Sequence, residues 1–160
     1  MITFANIKLL EKVAGHSRCK RRQIGAVTID SKNKSILVGW NTMPRDDYSL
    51  CDNCPREGQE HGVWTGNQEC PAIHAEEVII LDAARMGCAL EGLTLLITDK
   101  PCNRCARLIY EAGFKKVIYI SEIGSSEGID YLRKCGVTAE QHKPMPDAII
   151  KENPDEGVVE

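Results

Sequence analysis

Apolar residues recur along this chain with two periods, one close to 3.6 and one close to 2. Phe4, Ile7, Leu10 (or Leu9), Val13 and Ala14 share one side of a helix predicted over about Thr3 to Ser17. Ile24 to Ile29 and Ser35 to Trp40 read as strands joined by the turn-like Asp30-Ser31-Lys32-Asn33-Lys34. Ala75 to Met86 is rich in Ala, Glu, Ile and Leu and predicts a helix with His74 in its first turn. A strand at Leu93 to Thr98, a helix from about Cys102 to Ala112 and a strand at Lys116 to Ile120 follow as a β-α-β unit. A short helix near Glu127 to Lys134 and a strand around Val137 to Glu140 complete the pattern.

Two stretches lack periodicity. Residues 41–71 form a long segment with little regular pattern, and connections of that length are usually functional or disordered. The tail from Pro144 carries three Pro and several acids and is expected to be mobile. The expected fold class is α/β, a three-layer α/β/α arrangement with helices on both faces of a central five-stranded mixed sheet. It forms a single domain over 1–143, with an insertion at 41–71 and a tail over 144–160.

At 160 residues the chain is long enough for one domain with a sizeable core. A formal charge of −3 disfavours a general nucleic-acid-binding surface, although Arg18, Lys20, Arg21 and Arg22 make a local basic cluster. No apolar run spans a membrane, and the N-terminus reads as lacking a signal peptide. The eight Cys are therefore expected as reduced thiols in the cytoplasm.

The chemistry concentrates in His74-Ala75-Glu76 and Pro101-Cys102-Asn103-Arg104-Cys105. Cys-x-x-Cys alone could be a redox pair or half of a structural zinc knuckle. Preceded by His-x-Glu, with each motif opening a helix, it matches the signature of zinc-dependent nucleobase deaminases. His74, Cys102 and Cys105 would supply three ligands and leave the fourth tetrahedral position open, as a catalytic zinc requires. Zinc so held lowers the pKa of water to about 7. Glu76, not a ligand, would carry a proton from that water to the ring nitrogen beside the attacked carbon and then to the leaving amine. Residues two apart diverge by roughly 200° on a helix, so His74 and Glu76 are expected to flank one pocket rather than share a face. Cys102 and Cys105, three apart, are expected on one helix face, after Pro101 and near a dipole that favours thiolates.

On these residues the chain resembles the cytidine and deoxycytidylate deaminase family, most closely its deoxycytidylate (dCMP) branch. The similarity runs from about Arg21-Arg22-Gln23-Ile24-Gly25-Ala26-Val27 to Val117-Ile118-Tyr119. Gly39-Trp40-Asn41-Thr42-Met43-Pro44-Arg45 resembles that branch's G-Y-N-G-x-P, and Glu77-Val78-Ile79-Ile80-Leu81 resembles the family's E-E-N-A-I-L. The resemblance implies a cytidine-deaminase-like fold and zinc-dependent hydrolysis of dCMP to dUMP and ammonia, feeding thymidylate synthesis. It further implies that Asn41 bonds the sugar hydroxyl while the Ala75 backbone and Glu76 side chain read the cytosine edge. A homo-oligomer (hexamer or dimer) with dCTP and dTTP as effectors is also implied. Thr42 stands where the family has Gly, no Gly follows among Arg45, Asp46 and Asp47, and Ser121-Glu122-Ile123-Gly124-Ser125 replaces a Tyr-rich stretch.

A second constellation is Cys51-Asp52-Asn53-Cys54 with Cys70 and Cys19, the last at a position where some dCMP deaminases have a structural-zinc ligand. Four such thiolates would close a coordination sphere and pin the long loop, with His61 as a competing ligand; unpaired loop thiols are the alternative. Substrate phosphate is expected at Arg22 or Arg45, with Arg18, Lys20, Arg21 and Arg56 as other candidates and a solvated basic face as the plain alternative. Cys88 and Cys135 are expected as small buried hydrophobes, and Arg104 as solvent-facing or at a subunit contact.

Three functions fit these residues. One is dCMP deamination. The second is deamination of another nucleoside or nucleotide, or of tRNA or single-stranded DNA bases. The acidic balance and Glu69-Cys70-Pro71-Ala72-Ile73, in place of the tRNA-editing Asp-Pro-Thr context, disfavour the polynucleotide form. The third is a non-catalytic zinc-stabilised binding module, for which a non-ligand Glu76 would have no use.

Overall fold

The computed structural model describes residues 2–51, 54, 56 and 70–143. Its elements are α1 (Phe4–Ala14), β1 (Gly25–Ile29), β2 (Ser35–Trp40), α2 (Ala75–Met86), β3 (Thr94–Asp99), α3 (Asn103–Glu111), β4 (Lys116–Ser121), α4 (Glu127–Lys134) and β5 (Thr138–Gln141). Two 3-10 turns, Pro44–Asp46 and Tyr48–Cys51, open the insertion. The five strands form one mixed sheet in the order β2-β1-β3-β4-β5. β1 runs antiparallel to both β2 and β3, whereas β3, β4 and β5 are parallel.

The period-2 alternation of the strands separates two cores. Val27, Ile29, Leu96 and Ile118 face α1, where Leu10 and Val13 are buried against them. Ala26, Leu95, Ile97, Val117 and Tyr119 face the other way, onto Ile79, Ile109, Ile129 and Leu132 of α2, α3 and α4. Three helices thus cover one face and one covers the other, the layered α/β/α arrangement expected. In the strand pair β1–β2 the register shifts between Val27 and Ile29. Thr28 spans that irregularity with its hydroxyl, which accepts from the Leu37 N–H at 2.8 Å and reaches the Leu37 carbonyl at 3.3 Å.

Helix α1 departs from its expected pattern at both ends. Phe4 is 72% exposed, with the Lys8 ammonium 5.4 Å from its ring centroid, and Asn6 is buried in its place. The reason is the cap: Thr3 and Asn6 bond reciprocally, and the Asn6 amide donates to the Asn33 carbonyl at 3.2 Å. At the other end the helix stops at Ala14 rather than Ser17. Buried Ser17 instead donates its hydroxyl to the Asn41 carbonyl at 2.9 Å. Cys88 and Cys135 are half-buried rather than enclosed.

The insertion leaves and rejoins the fold at one point. Thr42 and Ile73 form an isolated antiparallel bridge, with N···O distances of 3.1 and 2.8 Å, that closes its base. His61, Trp64 and the tail from residue 144 lie outside the described residues. No helix among the described residues is long and apolar enough to cross a membrane.

Two backbone approaches bring helices close enough to build a site, and each needs a missing side chain. A Cβ on Gly39 in β2 would lie 2.6 Å from the Ala75 carbonyl and 2.9 Å from Ile79, so Gly39 lets the start of α2 rest on the sheet. A Cβ on Gly128 in α4 would lie 2.1 Å from the Pro101 carbonyl and 2.9 Å from that of Cys102. Neither neighbour can yield, because both are backbone. Gly128→Val is expected to destabilise the fold by about 1–3 kcal/mol or more through overpacking, read as a lower denaturant midpoint. An unchanged midpoint would show that α4 does not buttress the Pro101-Cys102 turn.

Candidate metal centre and nucleotide cavity

Both motifs sit where extended chain turns into helix. His74 is the N-cap of α2, with φ −74° and ψ 157°, not a member of its first turn. Its N–H donates to the Glu77 carboxylate at 2.9 Å, and Glu77 also holds the exposed Arg104 at 2.9 Å. Cys102 is the N-cap of α3 with nearly the same backbone, φ −69° and ψ 166°, and its sulfur accepts the Cys105 N–H at 3.4 Å. Cap geometry turns each side chain out of its helix, which is why ligands from two helices can meet.

They meet through the imidazole Nδ1. It lies 3.7 Å from the Cys102 Sγ and 3.4 Å from the Cys105 Sγ. All three ligand atoms are within 4.8 Å of one another, the group among the described residues that closes so far. Zn–S of about 2.3 Å and Zn–N of about 2.0–2.1 Å at a tetrahedral angle require an N···S separation of about 3.6 Å. The donor set and spacing therefore fit zinc, the cofactor of this chain, held by three protein ligands among the described residues.

The acid–base behaviour of the cluster follows from its crowding. Cys102 is pulled down to about 3, first by the hydrogen bond from the Cys105 thiol and then, against burial, by His74. Cys105 is pushed up, by that same bond to Cys102 and by burial. The bond to Cys102 likewise raises His74. One sulfur of the pair is thus held as a thiolate, the form that binds metal.

Glu76 lies on the first turn of α2 and is 4% exposed. Desolvation drives its carboxyl up to about 7, and the charge of His74 opposes the rise without cancelling it. A carboxyl that changes protonation near neutrality can both take and return a proton. Glu76 opens with His74, Ala75 and Cys102 into one cavity.

The same cavity is also lined by the cationic side chains of Lys20, Arg21, Arg22, Arg56 and Lys100. Arg22 grips Asp99 through both Nε and Nη2, the latter 2.6 Å from Oδ1, and Nη2 also lies 3.3 Å from the Ser121 hydroxyl. That pairing raises the Arg22 guanidinium further. Asp99 and Ser121 are register partners at the ends of β3 and β4, where parallel strands commonly present ligand sites. Neither was singled out by motif; the available signal was an Asp-Lys pair ending the apolar run Leu95-Leu96-Ile97.

Other expected site residues fall out differently. Asn41 lines the cavity but is buried, its Oδ1 accepting the Ile24 N–H at 2.8 Å and its Nδ2 donating to the Arg22 carbonyl at 3.0 Å. Arg45 does not line the cavity; it is exposed on the turn after β2, at φ 52°. Arg18 is stacked over the Tyr48 ring at 4.0 Å. Cys19, Cys51, Cys54 and Cys70 are half-buried along the cavity wall. Burial pushes the Cys51 thiol up, and so do Cys54, Cys19 and Cys70, so Cys51 is the thiol whose surroundings include the other three.

Comparisons with known proteins agree with this geometry. Residues 4–121 match the family described as the cytidine and deoxycytidylate deaminase zinc-binding region. The deoxycytidylate deaminase of Mycobacterium phage D29 is 35% identical over 115 residues, covering 68% of this chain and 86% of that protein. That of Enterobacteria phage T4 is 28% identical over 158 residues, covering 78% and 81%. The crystal structure of dCMP deaminase from cyanophage S-TIM5 in complex with dCMP and dUMP is 27% identical, covers 86% of this chain and 94% of that one, and superposes with a TM-score of 0.66. A match across most of the sheet and both ligand-bearing helices places this chain in the cytidine and deoxycytidylate deaminase family.

Proposed function

We propose that this protein hydrolyses dCMP to dUMP and ammonia and so supplies dUMP for thymidylate synthesis. The observation that carries the reading is one cavity lined together by His74 and Cys102 of the His/Cys/Cys cluster, by the buried Glu76 carboxyl and by a wall of cationic side chains. The cluster and carboxyl suit an amino-bearing base; the cations suit a phosphate.

His74, Cys102 and Cys105 hold the zinc, which supplies Lewis acidity toward a water when bound. Glu76 takes one proton from the attacking water and delivers it to the ring nitrogen beside the attacked carbon. It then takes the second proton from the hydroxyl formed on that carbon and passes it to the amine, so that the carbonyl forms as the C–N bond breaks and ammonia leaves. Its burial keeps bulk water from competing for the proton. The Ala75 backbone and Glu76 side chain flank the cytosine edge. Asn41, with one acceptor and one donor already engaged, fixes the chain between Arg22 and Ile24 and keeps one N–H for a sugar hydroxyl. Arg22, fixed by Asp99, contributes positive charge to the phosphate end of the cavity.

Cys19, Cys51, Cys54 and Cys70 hold a second, structural zinc that pins the insertion beside the cavity. The influence of Cys19, Cys54 and Cys70 on Cys51, their place along one cavity wall and the Thr42–Ile73 bridge at the base of the loop support this. The chain works as a homo-oligomer, hexamer or dimer, with dCTP and dTTP as effectors. Leu81, Met86, Leu108 and Tyr110 are exposed on α2 and α3, a surface that a subunit contact would cover.

Incubated with dCMP, deoxycytidine, CMP and dCTP in parallel, the zinc-loaded protein should convert dCMP well above the rest, read by product mass. No turnover of any of them would discard the reading. Glu76→Gln should retain zinc and fold while losing about 10²–10⁴ in kcat. Metal analysis of the wild type should give two zinc per chain, and a Cys51→Ser, Cys54→Ser double variant one. A wild type with one zinc, unchanged in the double variant, removes the second site.

A further inference from the structure

The cationic wall contains one ion pair unlike the others. Lys100 lies at the end of β3, two residues before Cys102, so one turn carries both a metal ligand and a cavity-lining cation. Its side chain is 12% exposed, and its ammonium sits 2.6 Å from the carboxylate of Glu122, whose side chain is 57% exposed. The pair is therefore lopsided: a nearly buried cation held by an anion that stands largely in water.

The loop that carries Glu122 is built around Lys100. It starts at Ser121, whose hydroxyl receives the Ile123 N–H at 3.2 Å and the Arg22 Nη2 at 3.3 Å. Ile123 and Gly124 then line the cavity. Gly124 turns the loop at φ +106°, in van der Waals range of Lys100. Glu122 thus leaves an anchored strand end and, though it does not itself line the cavity, pairs its carboxylate with a cation that does.

Arg22 and Arg21 are less able to change partner. Releasing Asp99 from Arg22 would strand a carboxylate that is 11% exposed, which is costly. The Arg21 guanidinium donates to the Arg56 carbonyl, which fixes its position against the insertion. Letting the Glu122 carboxylate swing into water costs little because it is already largely hydrated, provided an incoming anion takes its place on the nearly buried Lys100. A phosphate offers Lys100 a stronger, charge-assisted acceptor than a carboxylate.

We propose that Lys100 is the residue that selects a phosphorylated substrate, and that Glu122 is a built-in counter-anion which the substrate's 5′-phosphate displaces. This rests on the nucleotide-deaminase reading and deepens it. Before substrate enters, Glu122 neutralises Lys100 and holds the β4–α4 loop against the cavity. A nucleotide exchanges Glu122 for its phosphate, whereas a nucleoside, lacking the anion, leaves the pair closed. Lys100 acts in binding and selection, not in proton transfer.

The test measures calorimetric affinity of zinc-loaded wild type, Lys100→Met and Glu122→Gln for dUMP, deoxyuridine and inorganic phosphate, ligands that need no turnover. Lys100→Met should weaken dUMP about ten- to hundredfold and leave deoxyuridine within about twofold. Glu122→Gln should tighten dUMP about two- to fivefold and leave deoxyuridine unchanged, since it removes only the competitor. Equal losses for both ligands in Lys100→Met, or weaker dUMP binding in Glu122→Gln, would overturn the proposal. Inorganic phosphate binding as tightly as dUMP, with the same response to both variants, would also overturn it by making this a free-anion site. If Lys100→Met does not fold, the sign of the Glu122→Gln effect decides. Failure of wild type to deaminate dCMP would instead discard the enzymatic reading, and the dUMP–deoxyuridine contrast would still judge Lys100.

Discussion

The convergence of His74, Cys102 and Cys105 depends on a backbone constraint: the first ligand of each motif is an N-cap. A residue inside a helix projects its side chain along the helix surface, whereas a cap in extended conformation can throw it past the helix end. With α2 and α3 both starting near the C-terminal edge of β3, two such caps bring an imidazole and a sulfur within 3.7 Å, and Cys105, three residues into the second motif, completes the set. What keeps the two helix starts in place is close backbone packing at Gly39 and Gly128. The metal centre is thus a property of how two helices land on one sheet edge, and the ligand types matter only after that landing is fixed.

Electrostatics then sets the character of the cavity. Its reacting groups combine a buried carboxyl held near neutrality with a thiolate beside an imidazole. Guanidinium and ammonium groups line the same cavity, most visibly Arg22 and Lys100, each paired with a carboxylate. The two carboxylates differ in burial, and this difference decides their roles. Asp99 is enclosed and serves as a fixed strut, while Glu122 faces water and can be exchanged. Neither arrangement could be tolerated without a core that buries Leu10, Ile79, Leu95, Leu96, Ile97 and Ile109 almost completely.

Much of this was legible in the sequence, because periodicity and spacing are local. The alternation in Ile24 to Ile29 and Ser35 to Trp40, and the helical run from Ala75 to Met86, mark the right elements with ends within a residue or so. His74, Glu76, Cys102 and Cys105 are legible because their chemistry requires those residue types in that order. Phe4 was misplaced on α1 because the capping box between Thr3 and Asn6, a local hydrogen-bond pattern, outweighed the apolar stripe there and buried Asn6 instead. Asp99, Ser121, Lys100 and Glu122 carried no motif. Their meaning arises from parallel pairing of β3 with β4, contacts more than twenty residues apart that no local pattern encodes.

The same distinction explains why basic residues were the hardest to assign. Arg45, in the segment that most resembles the family's loop, is exposed at φ 52° and lines no part of the cavity. Arg18, inside the basic cluster, spends its charge on the Tyr48 ring. Arg22 is in the cavity but committed to Asp99. A long cationic side chain can reach several partners, so its role is set by whichever anion or ring the tertiary fold brings within range. Specificity in this family of folds therefore has a natural place to vary: the loop after β4 and the residues ending β3 can change which cation meets the substrate without disturbing the two helix caps that hold the metal.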